Sequence, residues 1–570
     1  FADKSFLDSS IYIVLGYLLI KKRSKLMLDK KIIQIPLLLV VFAFVGGCSQ
    51  SENSNNIVYG DISFDNTGSS EAQAAFLTGV KSLHNFQFED ARIAFEEAAE
   101  IDSKFAMAYW GQAMSNNYPL WARQNTANAK SALNALSSSL EGRLNLANTE
   151  KEKAFINAVE KLFFSSDDKL ERDISYSNAM ANMHDKWPDD HEISIFYALS
   201  LLGTVRPGDD GFKRQALAAS IAMSVLNENK THPGAAHFTI HSLDDPEHAI
   251  LALPAADVYA DIAPSSAHAL HMPSHIFLQL GMWERVVNSN IEAYASAVSH
   301  TKKLIESGAT SLGASTIGGE DFHTLSWLAY ANLMLGHYDR AEENLGMALQ
   351  TVTQNPESER AKNGYLNMLA RHAIETADCS NIYLGDPGSR EGKHTAFITA
   401  AGMCAAIDRD MGTASLASER LKDQEKKAEE AGKSYNALQI KILSKEVDAL
   451  TRLADGDYNS AIRLAKEAAD IELNNMSAPS GPPVPMKPAS ELYGEMLAAA
   501  GKYDEAVIAY KRSLDWVPNR TPSIVGLIAA ASGSDDASLA EEMRTKIRST
   551  PGINLDQFSS FLENSLANNI

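Results

Sequence analysis

The chain has 570 residues, 45% of them hydrophobic and 22% charged, with a formal net charge of −21. That length exceeds one small core and requires several domains or one extended repeat array. The acidic balance excludes nucleic-acid binding by long-range attraction to phosphates.

The first 47 residues read as targeting sequence, outside the fold. Residues 1–26 hold a short apolar run, Ile11–Ile20, and read as an upstream extension or leader ahead of Met27. Residues 27–47 have a charged start at Asp29-Lys30-Lys31, an apolar stretch from Ile32 to Val45, then Gly46-Gly47 before Cys48. This resembles a bacterial lipoprotein signal peptide with its lipobox, Val45 standing where Leu is usual. The resemblance implies cleavage before Cys48 and acylation at Cys48. Ser49 resembles outer-membrane sorting more than inner-membrane retention. The expected location is the cell envelope, at the outer membrane or periplasmic face, with the membrane reached through lipid. A plain membrane-anchoring helix is the alternative, although the apolar run is short for a span. Residues 1–47 carry a net +4, so the remainder carries −25.

Residues 48–63 begin with a Ser/Asn/Gln/Glu-rich stretch and read as a flexible tether. Beyond them, Ala-, Leu- and Glu-rich periodicity dominates and strand-like alternation is scarce. Gly336-x-Tyr338-x-x-Ala341 recurs as Gly456-x-Tyr458-x-x-Ala461 and Gly501-x-Tyr503-x-x-Ala506, with Gly281-x-Trp283-x-x-Val286 as a variant. The copy at Phe88 and Ala91 lacks the glycine. This pattern resembles the tetratricopeptide repeat, in which Gly ends one helix and a small residue lets the next approach. The expected fold is all-α, a tetratricopeptide-repeat-like superhelix or α-solenoid. Residues 64–300 read as an N-terminal array holding a histidine cluster, and 301–476 as a middle array. Residues 477–570 read as a Pro-rich crossing segment and a last repeat. Cys379 and Cys404 are either a disulfide or two buried thiols.

Several motifs occur together: Leu83-His84-Asn85-Phe86, Tyr109-Trp110-Gly111, Pro119-Leu120-Trp121, His237-x3-His241, His271-Met-Pro-Ser-His275 and Glu491-x-Tyr-Gly-Glu495. The set resembles a large, poorly characterised family of bacterial tetratricopeptide-repeat proteins over residues 64–530. No reaction comes with that resemblance. Gln112 stands where the family usually has Glu, and Tyr118 where it has His.

Six of the fifteen histidines fall between His237 and His275. His237 and His241 are spaced i, i+4 on one helical face, and His268, His271 and His275 are spaced i, i+3, i+7. Pro233 suits the first helical position, and Asp244-Asp245-Pro246 ends that helix. Pro273 either begins a helix or kinks one. Neutral imidazoles converging from neighbouring helices suit a metal ion. The candidate ligands are His237, His241, His271 and His275, with His268 as alternate ligand or base. His84 and His323 are possible additions, as are the carboxylates of Glu491 and Glu495. Asp244 and Asp245 could orient imidazoles, while His248 reads as a surface residue. Histidine with carboxylate suits zinc, iron or manganese. The same histidines serve equally as caps and cross-helix hydrogen-bond partners in a plain array, and Tyr109, Trp110 and Trp121 read as core. No P-loop, dinucleotide fingerprint, nucleophile elbow or His-Glu-x-x-His motif occurs. Two functions remain: a lipid-anchored scaffold holding a protein or peptide in its concave groove, or a metal-dependent hydrolase or oxidoreductase within that scaffold.

Overall fold

The computed structural model describes residues 57–209, 211–308 and 316–557. The leader, Cys48 and the tether as far as residue 56 lie outside the described residues, as does the middle of the Ser307–Gly319 loop. Among the described residues there are 25 α-helices and one short strand pair, Asn117–Tyr118 antiparallel to Arg123–Gln124. Consecutive helices pack against one another along the chain, giving an all-α solenoid of tetratricopeptide-repeat type.

The repeat glycines do what their spacing predicts. Gly281, Gly336, Gly456 and Gly501 have φ of 68°, 73°, 81° and 72°. After each, an N–H bonds back across the helix end: Met282 to Phe277, His337 to Asn332, Asp457 to Arg452 and Lys502 to Leu497, at 2.8 to 2.9 Å. This closure satisfies carbonyls that a helix end otherwise leaves unpaired. Ala341, Ala461 and Ala506 are fully buried where the next helix crosses.

The copy without glycine makes the same turn with Phe86 at φ 55°, and Gln87 N–H bonds to Ser82 O at 2.9 Å. A side chain in this left-handed region costs about 1–2 kcal/mol. The ring itself is buried against the histidines described below. Phe86→Gly is therefore expected to be about 1 kcal/mol more stable than Phe86→Ala in urea denaturation, the reverse of the order in a helix interior.

Residues 57–63 depart from the flexible tether expected of them. Val58 N–H donates to Ser265 Oγ (2.9 Å), Asp61 N–H to Thr231 O (3.0 Å), and Asn85 Nδ2 to Tyr59 O (3.1 Å). Tyr59 is buried, so this strap is part of the fold. Glu150–Phe164 forms a helix with a full capping box at Thr149 and Glu152.

The C-terminal repeat folds back onto the middle of the chain. Asn519 Nδ2 donates to Gln279 O (3.3 Å), Thr521 Oγ1 to Met334 O (2.7 Å), and Asn554 N–H to Leu335 O (2.8 Å). Arg520, buried completely, forks to Glu375 and Glu491. The Pro-rich segment crosses to the same region: Pro479 O accepts from Gln279 Nε2 (2.8 Å), and Gly481 lies against Trp327. Cys379 and Cys404 form a disulfide, tying the loop after helix Glu359–Thr376 to helix Thr395–Ile407.

Candidate metal centre

Local sequence sets the positions of the imidazoles. Helix Pro233–Ser242 starts at Pro233, with His232 as its cap accepting from Ala235 N–H (3.2 Å), and carries His237 and His241. Ser266 caps the short helix Ala267–His271, which carries His268 and His271. Pro273 opens a second helix, Pro273–Gln279, with His275 on it. His323 comes from helix Glu320–Met334.

The histidines fall into two groups, and the short helix Ala267–His271 contributes one ring to each. His237, His241 and His268 form one, and His271, His275 and His323 the other; within each group, ring nitrogens lie within 4.8 Å of one another. This corrects the expected grouping of His237 and His241 with His271 and His275. His268 is a full member of the first group, and His323 completes the second. The closest pairs are Nε2 to Nε2, His237–His268 and His271–His275, both 3.1 Å. Two nitrogens on one tetrahedral ion at zinc–histidine bond lengths of about 2.0–2.1 Å lie about 3.3 Å apart.

The tautomers follow from the outer partners. His237 Nδ1 donates to His84 O (2.6 Å), and His275 Nδ1 donates to the Asp244 carboxylate (2.6 Å). His271 Nδ1 donates to Asn290 Oδ1 (2.7 Å), whose orientation is fixed because Asn290 Nδ2 donates to Val286 O (2.8 Å). Each of these three rings thus turns an Nε2 lone pair inward. At His271–His275 two such lone pairs face each other, which is repulsive unless a cation, proton or metal ion, lies between. His241 Nε2 is buried with no protein partner among the described residues. Glu320 lies 3.7 Å from His268 Nδ1. Burial, opposed by His300 and helped by Asp321, Glu89 and Asp90, pushes Glu320 up to about 7.

Aromatic rings wall both groups. Phe86 lies 4.4 Å from His237 and 5.4 Å from His268, centroid to centroid. Trp327 lies 4.3 Å from His275 and 4.9 Å from His271. A Cβ at position 481 would come within 2.5 Å of that indole, so the Pro-rich segment seats there only as glycine.

Burial keeps His237, His241, His268 and His271 neutral and ligand-competent. It pushes His237 down to about 3, and His241, His268 and His271 well below their ordinary value. A histidine depressed on folding contributes stability that is present above its unfolded pKa near 6.5 and lost as pH falls toward its folded value. Metal-free protein is therefore expected to lose stability on acidification from pH 6.5 toward pH 3. Each such ring adds a slope of up to about 1.4 kcal/mol per pH unit. Denaturation of a His237→Gln, His271→Gln variant in chelator should show a shallower dependence than the parent across that window.

Other sequence candidates lie elsewhere. The His84 imidazole joins Glu192 and His232 in a third buried group: His84 Nε2 donates to Glu192 (2.8 Å) and His232 Nε2 donates to its other oxygen (3.2 Å). Because His232 Nδ1 accepts from a backbone N–H, its Nε2 carries the proton. Both Nε2 atoms facing Glu192 therefore act as donors. That group is a structural clasp, and only the His84 carbonyl reaches the centre. Glu491 and Glu495 are not carboxylate ligands: Glu491 is spent on Arg520, and Lys487 Nζ lies 2.6 Å from Glu495. Asp245 bonds His248 (2.8 Å), which stacks on Phe212 at 3.8 Å and is only part-exposed. Trp110 is core, whereas Trp121 is 47% exposed beside Phe86. Gln112 and Tyr118 line a separate cavity of about 830 Å³. Asn290 and Trp327 have no mark in the sequence that ties them to the histidines.

No protein-family model and no curated protein matches the chain. Solved structures overlap it only loosely. The crystal structure of yeast Tom70 is 12% identical, covers 85% of this chain and 98% of its own, and has a TM-score of 0.31. The P58(IPK) TPR domain is 15% identical with coverages of 82% and 99% and a TM-score of 0.18. The APC/C hetero-tetramer Cut9-Hcn1 is 13% identical with coverages of 87% and 97% and a TM-score of 0.28. At these scores nothing about activity carries across.

Proposed function

We propose that this is a metal-binding helical-repeat protein of the bacterial cell envelope, lipid-anchored at Cys48, whose histidine groups hold late first-row transition-metal ions. The observation that carries this reading is the His271–His275 pair. Its Nε2 atoms lie 3.1 Å apart while Asn290 and Asp244 hold both Nδ1 protons on the far side. With Glu491 and Glu495 engaged elsewhere, the donor set is all imidazole, which suits zinc or copper over manganese. Three nitrogens per group leave a fourth position on a tetrahedral ion for water or substrate. The Cys379–Cys404 disulfide supports an oxidising compartment, in keeping with the lipobox-like sequence at Cys48.

The test is zinc titration of chelator-stripped full-length protein, followed by calorimetry and by elemental analysis after desalting. Retained zinc that is weakened in His275→Ala is the expected result. Protein that retains no zinc or copper overturns the proposal.

A second reading, a protein- or peptide-binding scaffold, draws on a different feature. A cavity of about 780 Å³ between helices Glu359–Thr376 and Ser434–Ala454 is lined by Asn367, Asn436, Gln439 and Lys393. Amides and a cation in a repeat groove suit the backbone and acidic side chains of an extended peptide.

A further inference from the structure

We infer that the centre is dinuclear, with one ion on His237, His241 and His268 and a second on His271, His275 and His323, the two sharing one chamber. The inference rests on the metal-binding reading and adds number and spacing to it. Each group is complete in itself, with three imidazoles and one Nε2 pair at 3.1 Å. Six imidazoles exceed what one tetrahedral ion takes.

The groups also touch. Ring centroids within the first group are 4.7, 4.9 and 6.2 Å apart, and within the second 5.0, 4.5 and 6.4 Å. His241 and His275, one from each group, are 6.0 Å apart. The step between groups is therefore no longer than the longest step inside either.

The outer partners differ between groups. His84 O and Glu320 flank the first, while Asp244 and Asn290 flank the second. Two separately supported groups favour two ions over one ion exchanging among six rings. Neutral ligands leave most of the positive charge of two divalent ions uncompensated. The ligand class that fits between them is a small bridging anion, such as hydroxide or azide.

The test uses chelator-stripped full-length protein loaded with copper(II), zinc and then azide. Two tight equivalents per chain are expected. His241→Asn and His323→Asn, one in each group, should each keep one tight equivalent and weaken the other at least tenfold. The electron paramagnetic resonance spectrum at two copper equivalents should show a half-field line, or lost intensity, that is absent at one equivalent. Azide should perturb the two-copper spectrum more than the one-copper spectrum. A single equivalent in the parent overturns the inference while leaving the metal-binding reading standing. So do two equivalents with simply additive, isolated copper signals, or two variants that weaken the same step. Absence of any bound metal overturns both.

Discussion

Arg520→Met is expected to destabilise the protein by about 3–5 kcal/mol, because it removes the forked cation shared by two buried carboxylates. Arg520 Nη1 and Nη2 each donate to Glu375 at 2.8 Å, and Nε and Nη2 donate to Glu491 at 2.7 and 2.9 Å. The Arg520 and Glu491 side chains are 0% and 1% exposed, and Glu375 is 3% exposed. Burial pushes Glu491 up, but Arg520 and then Lys487 outweigh it and hold the carboxyl down to about 2. Without Arg520, that charge keeps Lys487 at 3.3 Å and the Ser523 hydroxyl but loses its forked partner. Arg520→Lys should recover little, since one ammonium cannot fork to both partners. Replacing Arg520, Glu375 and Glu491 together with apolar residues should recover most of the loss, because the penalty belongs to the unpaired charges. Urea denaturation of the three variants checks this. A loss below about 1 kcal/mol in Arg520→Met would mean that water reaches the site.

Asp244→Ala is expected to weaken metal binding by about 10- to 100-fold, whereas Asp245→Ala should leave it unchanged. The two neighbours have separate tasks. Asp244 accepts from His275 Nδ1 at 2.6 Å and is 4% exposed, while Asp245 is bonded to His248, away from the cluster. Losing Asp244 frees the His275 ring to rotate and to move its proton to Nε2, which blocks coordination. Asp244→Asn keeps an acceptor and should fall between. Competition titration against a chromophoric chelator measures all three. Equal affinities for the Asp244 and Asp245 variants would contradict the tautomer argument.

Local chemistry was the legible part. In all four Gly-x-aromatic repeats the glycine makes a left-handed turn, so Gly281, Gly336, Gly456 and Gly501 could be placed from sequence. Pro233 gives a helix start, since its missing N–H costs nothing at the first position. The histidine spacing pointed to convergence but not to its grouping. His268 and His271 share the short helix Ala267–His271 yet join different groups, and the i, i+3, i+7 spacing does not say which neighbouring helix each ring meets. Partners from distant segments were out of reach. Asn290, Trp327 and Gly481 meet the cluster through packing between repeats. Glu491 and Glu495 looked like ligands because their spacing is right. Arg520, 29 residues further on, claims Glu491, and only tertiary folding brings the two together. Phe86 shows a local rule broken to serve the site: a glycine turn made with a ring that walls the first histidine group.

The most direct test is anomalous scattering from crystals of the full-length protein soaked in zinc, recorded on both sides of the zinc edge. The account predicts a peak about 2.0–2.1 Å from both His271 Nε2 and His275 Nε2, with a second beside His237 and His268. A map without density between His271 and His275, or with its only peak at His84, Glu192 and His232, would contradict it.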